Sequence, residues 1–346
     1  ADARVVDSNA IDLGDSMVAG NLAVPASGNI TESGLLTVAG TSTFTVDGSQ
    51  NADVWLAPDP PYPPSPTDHA NNLAGAVTIT TVNGGTIRDI GLRNISPTAS
   101  LAGVPTVARN LTIIFDNAPV NLPVTTLSLD TNGVGGNLVV LAGGNITQTG
   151  VLTVAGTATF AIDGAQQADV ILGPVYPNDI AGLVTITTYN GGTIRDINLR
   201  NVNVNANLLG MPNTARNFTI LFDNAPVILP ELTLTGYMDI TAGGVTPTAT
   251  SGTIAPDVAI TQTGVLTVAG TSTFTVETVQ QADVLLAYYA NDLAGAVTIT
   301  TANGGTIRDV ALRNINPSAN LLGVPTILRK LTIIVDSARV VLPLTT

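Results

Sequence analysis

The sequence predicts an all-β chain folded as a parallel β-helix, a β-solenoid of three internal repeats. Three observations carry that reading: blocks that recur in register, a composition that favours strands over helices, and short segments alternating with period two. Residues 29–40 (NITESGLLTVAG) return as 145–156 (NITQTGVLTVAG) and as 259–270 (AITQTGVLTVAG). The heptapeptide NGGTIRD occurs at 83–89, 190–196 and 303–309. A third block reads LTIIFDNAPV from Leu111, FTILFDNAPV from Phe218 and LTIIVDSARV from Leu331. The period is about 115 residues, the mark of a stack in which each unit buries its faces against its neighbours.

The composition agrees. Charged residues make up 11% of the chain, against about 25% in ordinary soluble proteins, while hydrophobic residues reach 45% and aromatics only 4%. The acidic helix formers are Glu32, Glu231 and Glu277, and Lys330 is the single lysine, which excludes long Glu/Lys-rich helices. A core built from Val, Ile, Leu and Ala, with abundant Thr and 34 Gly, suits pleated strands joined by tight turns. Alternation is clearest in residues 41–46 (TSTFTV), where Phe44 and Val46 are expected to face in and Thr43 and Thr45 out.

In the middle copy the pattern predicts strands at 137–141, 151–154, 157–162, 168–172, 183–188, 193–199, 217–222 and 232–235. Asn-Gly and Gly-Gly pairs punctuate them. No linker interrupts the strand density. The chain therefore reads as one continuous rod of roughly 20 residues per coil, with an N-terminal segment 1–20 completing or capping a coil and repeats at 21–136, 137–236 and 237–346.

Net charge and residue types exclude several functions. A formal charge of −13 speaks against nucleic acid as a partner, since phosphate neutralisation needs clustered Lys and Arg. With no Cys and one His (His69), the chain lacks disulfides, thiol chemistry and the makings of a zinc site or a catalytic triad. No apolar run approaches the length of a transmembrane helix, so no membrane insertion is expected. The fragment Asp130-Thr131-Asn132-Gly133 resembles part of a calcium loop but lacks the distal Glu and does not recur, so it reads as a turn. Neither a cofactor nor a metal is expected.

The ordered charges are structural in this reading. Arg88/Arg195/Arg308, Arg93/Arg200/Arg313 and Arg109/Arg216/Arg329 recur beside Asp53/Asp169/Asp283, Asp89/Asp196/Asp309 and Asp116/Asp223/Asp336. A polysaccharide hydrolase or lyase would need one site with a distinct acid and base, not the same Arg–Asp element repeated evenly along the chain.

Two candidate sites remain. Trp55 and Tyr62, then Tyr176, then Tyr288 and Tyr289 follow the Asp53-type position in each copy. That segment varies most in length between copies, so an aromatic loop row for sugars or a neighbouring rod is expected there. The second candidate is end-to-end contact. Aligning Leu127, Leu129, Val134 and Gly136 with Ile11, Leu13, Val18 and Gly20 lets residue 11 of one copy continue residue 346 of another. Ile11, Leu13 and Val18 would then complete the coil that Val340, Val341 and Leu342 begin; three repeats cut from a longer array would give the same matching ends.

Runs such as ITQTGVLTVAGTATF and AGAVTITTANGG resemble the β-strand repeats of bacterial secreted surface proteins, the filamentous-haemagglutinin-like exoproteins and giant adhesins. The Asn-Pro-Asn motifs of that family's secretion domain are absent. The resemblance implies a right-handed parallel β-helix, export to the cell surface, and an adhesive or structural role. The expectation from the sequence is thus a non-catalytic extracellular subunit that stacks head to tail with itself into a filament. The alternative is an adhesin region binding glycans or a host surface through the aromatic row.

Overall fold

A computed structural model describes residues 1–58, 70–173, 175–245 and 257–342. Its elements are all β-strands, and every pairing between named strands given for them is parallel. The chain is a parallel β-solenoid of three repeats. All eight strands expected in the middle copy form, with ends within two residues of expectation, as at Leu138–Ala142, Ala158–Asp163 and Ile194–Asn201. Several two- to four-residue strands, among them Ile146–Gln148 and Val227–Leu229, were not legible in the pattern. They are strands because a neighbouring coil presents backbone groups to them, and three residues carry no period of their own.

The described chain divides into two compact units, one of residues 1–172 and 186–193, the other of 173–185 and 194–346. In the first, one ladder runs through Ala3–Arg4, Leu22–Ala26, Ser42–Asp47, Ala76–Val82 and Ser100–Gly103. A second runs through Ile11–Leu13, Ile30–Glu32, Ala52–Leu56, Ile87–Asn94, Val107–Phe115, Leu138–Ala142 and Ala158–Asp163. Leu22–Ala26 and Leu138–Ala142 are the same block of successive copies, yet they lie in different ladders. In the second unit the corresponding strand, Met238–Ala242, pairs with Asn217–Phe222 and Ser272–Glu277.

Contacts join residues one coil apart at separations of 19, 20, 24 and 35, so the expected coil of about 20 residues is the short end of a range. The core is a stack of like residues. Val24, Phe44 and Ile79 are successive partners and all buried, with Thr43 and Thr45 on the opposite face as the alternation requires. The NGG sequences are corners between ladders rather than hairpins. Asn83 and Gly84 adopt φ of 50° and 76°, and Asn190–Gly191 and Asn303–Gly304 repeat the geometry. Asn tolerates this left-handed region better than most residues and Gly enters it without penalty.

Buried asparagines, which the sequence reading did not single out, tie adjacent coils. Asn94 is fully buried; its Oδ1 accepts from the Leu73 amide at 3.0 Å and its Nδ2 donates to the Leu73 carbonyl at 2.8 Å. Asn314 makes the same pair of bonds to Leu293, at 3.0 and 2.9 Å. The recurring LRN at the end of the NGGTIRD block was the available signal.

Candidate functional site

The outer face of the first unit carries a groove built around Trp55. In the strand Ala52–Leu56, Val54 and Leu56 point into the core, which turns Asp53 and Trp55 outward. One coil on, Ile90 and Leu92 point inward, so Asp89, Gly91 and Arg93 share the outer face. Trp55 pairs in register with Thr31 on one side and Gly91 on the other. A Cβ on Gly91 would lie 2.8 Å from the Trp55 ring, so the indole rests directly on the glycine backbone.

Ion pairs frame the ring. Arg88 binds Asp53 and Arg109 binds Asp89, each through two nitrogens. Asn110 donates to Asp89 at 3.1 Å, and the Asp53 amide donates to Asn29 Oδ1 at 3.0 Å. The groove between these residues has a volume of about 420 Å³. The indole N–H is buried without a hydrogen-bond partner among the described residues.

The expected aromatic loop row therefore needs correction. Trp55 lies on a strand, as do Tyr288 and Tyr289 within Ala282–Leu293; Tyr288 is 73% exposed. Tyr176 is half-buried in a bend, and Tyr62 and His69 lie outside the described residues. Alternation in Ala52–Leu56, with Val54 and Leu56 buried, puts Trp55 on the outer face of a strand rather than in the loop expected after the Asp53-type position. A shallow hollow beside Tyr288 is lined by Leu285, Ala287 and Ala311 and carries no charge.

The Arg–Asp sets do form inter-coil pairs: Arg93–Asp116 at 2.8 Å, Arg200–Asp223 at 3.0 Å, Arg308–Asp283 at 2.7 Å and Arg313–Asp336 at 2.8 Å, with Arg216–Asp196 and Arg329–Asp309 alongside. The hydrogen bonds from Arg329 hold Asp309 below the usual carboxylate range. Engaged by that permanent cation, Asp309 is a poor general base at neutral pH. Asp130 is a turn residue: its Oδ1 accepts from the Asn132 and Val134 amides at 2.9 Å each, and Gly133 takes a φ of 73°. No group of three or more metal-ligating side chains converges among the described residues.

Two titratable groups were missed: Asp239, pushed up by burial, and Glu32. Glu32 is pushed up to about 7, first by burial, and a hydrogen bond from Asn71 only partly offsets this; Asp12 adds repulsion. Its Oε2 is buried without a partner among the described residues. The other copies place Gln148 and Gln262 there, and each donates Nε2 to the carbonyl two residues on, at 2.9 and 2.7 Å. Glu32 needs a proton to make the same bond.

The end-to-end residues fall in a different register from the one expected. Ile11 pairs with Ile30 and Leu13 with Glu32, as Val120 pairs with Ile146 and Leu122 with Gln148. Likewise Val18 pairs with Val38 as Leu127 pairs with Val154. Ile11, Leu13 and Val18 are thus counterparts of Val120, Leu122 and Leu127, not of Leu127, Leu129 and Val134. Apolar spacing within a short loop misled the alignment, whereas Gly20 and Gly136 do correspond, each accepting from the glycine amide one coil on. Leu13 and Val18 are buried; Val340, Val341 and Leu342 are exposed. Val340 and Val341 border an open cavity of about 240 Å³ inside the last described coil, with Val297, Leu312, Ile333 and Val335.

Residues 1–59, 120–187 and 232–300 match the family model described as repeats of unknown function (DUF5649), together more than half of the chain. The chain belongs to this family. The matched segments leave out most of the NGGTIRD and LTIIF blocks, so many of the recurrent Arg–Asp pairs lie outside them. No curated protein and no solved structure matches the chain.

Proposed function

We propose that this DUF5649 chain is a non-catalytic structural module of an extracellular surface or matrix filament, in which coils add end to end and a second copy supplies the next coil. One observation carries the reading. The block at Val107–Phe115 is covered by Leu138–Ala142, and the block at Asn217–Phe222 by Met238–Ala242; their apolar residues are buried. The same block in Ile327–Val335 pairs only with Ile307–Asn314 among the described residues. Its other edge has no partner among the described residues, and Ile334 is 41% and Val341 65% exposed. An unpaired strand edge bordered by apolar surface templates a further strand. Such a contact is heterologous and need not close, which gives a filament.

The placement outside the cell rests on the resemblance to secreted strand-repeat surface proteins. The absence of catalysis in this reading rests on the even repetition of the Arg–Asp pairs. Negative-stain microscopy and light scattering of the purified chain test it. Long uniform fibres are expected, with growth abolished by Val341→Lys; particles that stay monomeric across concentration would remove the proposal.

A further inference from the structure

The Trp55 groove is not needed for coil stacking, and nothing in the fold requires an indole there. The equivalent strand positions hold Ile171 and Leu285, and the position of Gly91 holds Asn198 and Ala311. The fold therefore tolerates aliphatic side chains over larger neighbours. Only the first copy combines a flat ring with a residue that has no side chain to displace it.

We propose that this groove binds a neutral saccharide, with a pyranose ring stacked on Trp55 and its hydroxyls held by the flanking Asp, Arg and Asn side chains. Three features point to that chemistry. The indole rests on Gly91, so its ring is positioned before any ligand arrives, and an aromatic face with its negative quadrupole suits the polarised C–H groups of a sugar ring. The polar groups are likewise preset: Asp53 and Asp89 are each held by an arginine, and free donor and acceptor positions remain for hydroxyls. Two Asp against two Arg leave the groove without net charge, which disfavours both acidic polysaccharides and cationic ligands. The volume of about 420 Å³ falls within the range of small-molecule sites.

Trp55 is the only tryptophan, so its fluorescence reports on the groove alone. The intact chain is titrated with maltose, cellobiose, lactose and N,N′-diacetylchitobiose, and with digalacturonate as an acidic control. A saturable emission change with at least one neutral disaccharide, at one site per chain by calorimetry, is expected. Trp55→Ala should weaken that binding about tenfold or more, the loss of one aromatic platform, with β circular dichroism retained. If Trp55→Ala does not fold, Trp55→Phe decides: binding weaker than the parent but measurable supports the site, and unchanged binding overturns it. No response to any neutral disaccharide, or tighter binding of digalacturonate, also overturns it. The outcome is separate from filament growth, which Trp55→Ala should leave intact.

Discussion

Leu111–Phe115 and Leu331–Val335 differ only at the last residue, LTIIF against LTIIV, yet they live in different environments. In the first copy both faces of the strand are buried: Leu111, Ile113 and Phe115 toward the core, and Ile114 on the outer side with Leu141 and Ala161. In the third copy the same residues are half-buried or exposed. The flanking coil on one side is equivalent, since Ile90–Leu92 and Val310–Leu312 pair with the two blocks in identical register. What differs is the coil on the other side. Burial here is conferred by stacking, so each coil's stability depends mainly on whether a neighbour covers it.

The sharpest way to break this comparison is to charge the same position in both settings. Ile113→Asp puts an unpaired carboxylate in a sealed core and should cost about 4 kcal/mol or more. Ile333→Asp, beside the open cavity, should cost about 1 kcal/mol, since water reaches the new charge. Chemical denaturation of both variants checks this, and equal losses would show that the last coil is as covered as the interior ones. Ile194→Asp, at another buried position, should behave like Ile113→Asp.

The ion pairs repeat the contrast on a smaller scale. The side chain of Arg93 is 6% exposed and that of Arg313 39%. Arg93→Ala strands a partly buried Asp116 and should cost about 3 kcal/mol, whereas Arg313→Ala should cost less than about 1 kcal/mol. Urea midpoints measured in low and high salt should separate them further, because only the exposed pair is strongly screened.

Glu32 sharpens the comparison between copies through pH. Both folded and unfolded chains hold its proton below about pH 4.5. Between there and about 7 the unfolded chain releases the proton while the folded one keeps it, so this group's contribution to stability falls as pH rises through that window and levels off above it. Glu32→Gln, which installs the residue of the other copies, should match wild type at pH 4 and exceed it by about 2–3 kcal/mol at pH 8. A constant difference across the range would mean that Glu32 titrates normally. The smallest expected stability change is that of Val341→Lys, within about 0.5 kcal/mol in the isolated chain, so its effect on fibre growth can be read without a folding defect.

Much of this was legible in the residues. The recurring blocks announced a stacked repeat, alternation put Phe44 and Val46 inside, and the Arg and Asp sets formed the inter-coil pairs their recurrence implied. The eight middle-copy strands fell where the β-branched runs placed them. Trp55 was singled out as a binding residue but assigned to a loop, and Glu32 was passed over. An isolated Glu in a polar triplet carries no mark of burial until the coil that covers it is in place.

By itself the amino-acid order determined the fold class, the repeat unit and which side of each longer strand faces inward. Those follow from local propensity and a two-residue period, and neither needs knowledge of a partner strand. Only the tertiary structure decided the register of the short strands, the burial of Glu32, the seating of Trp55 on Gly91 and the true counterparts of Ile11, Leu13 and Val18. Each of these depends on which residue lies one coil away, a separation of 19 to 36 positions set by loop length rather than by any pattern in the chain. Hydrogen bonding between coils measures that separation in space, and the sequence records it only where the blocks repeat without insertion.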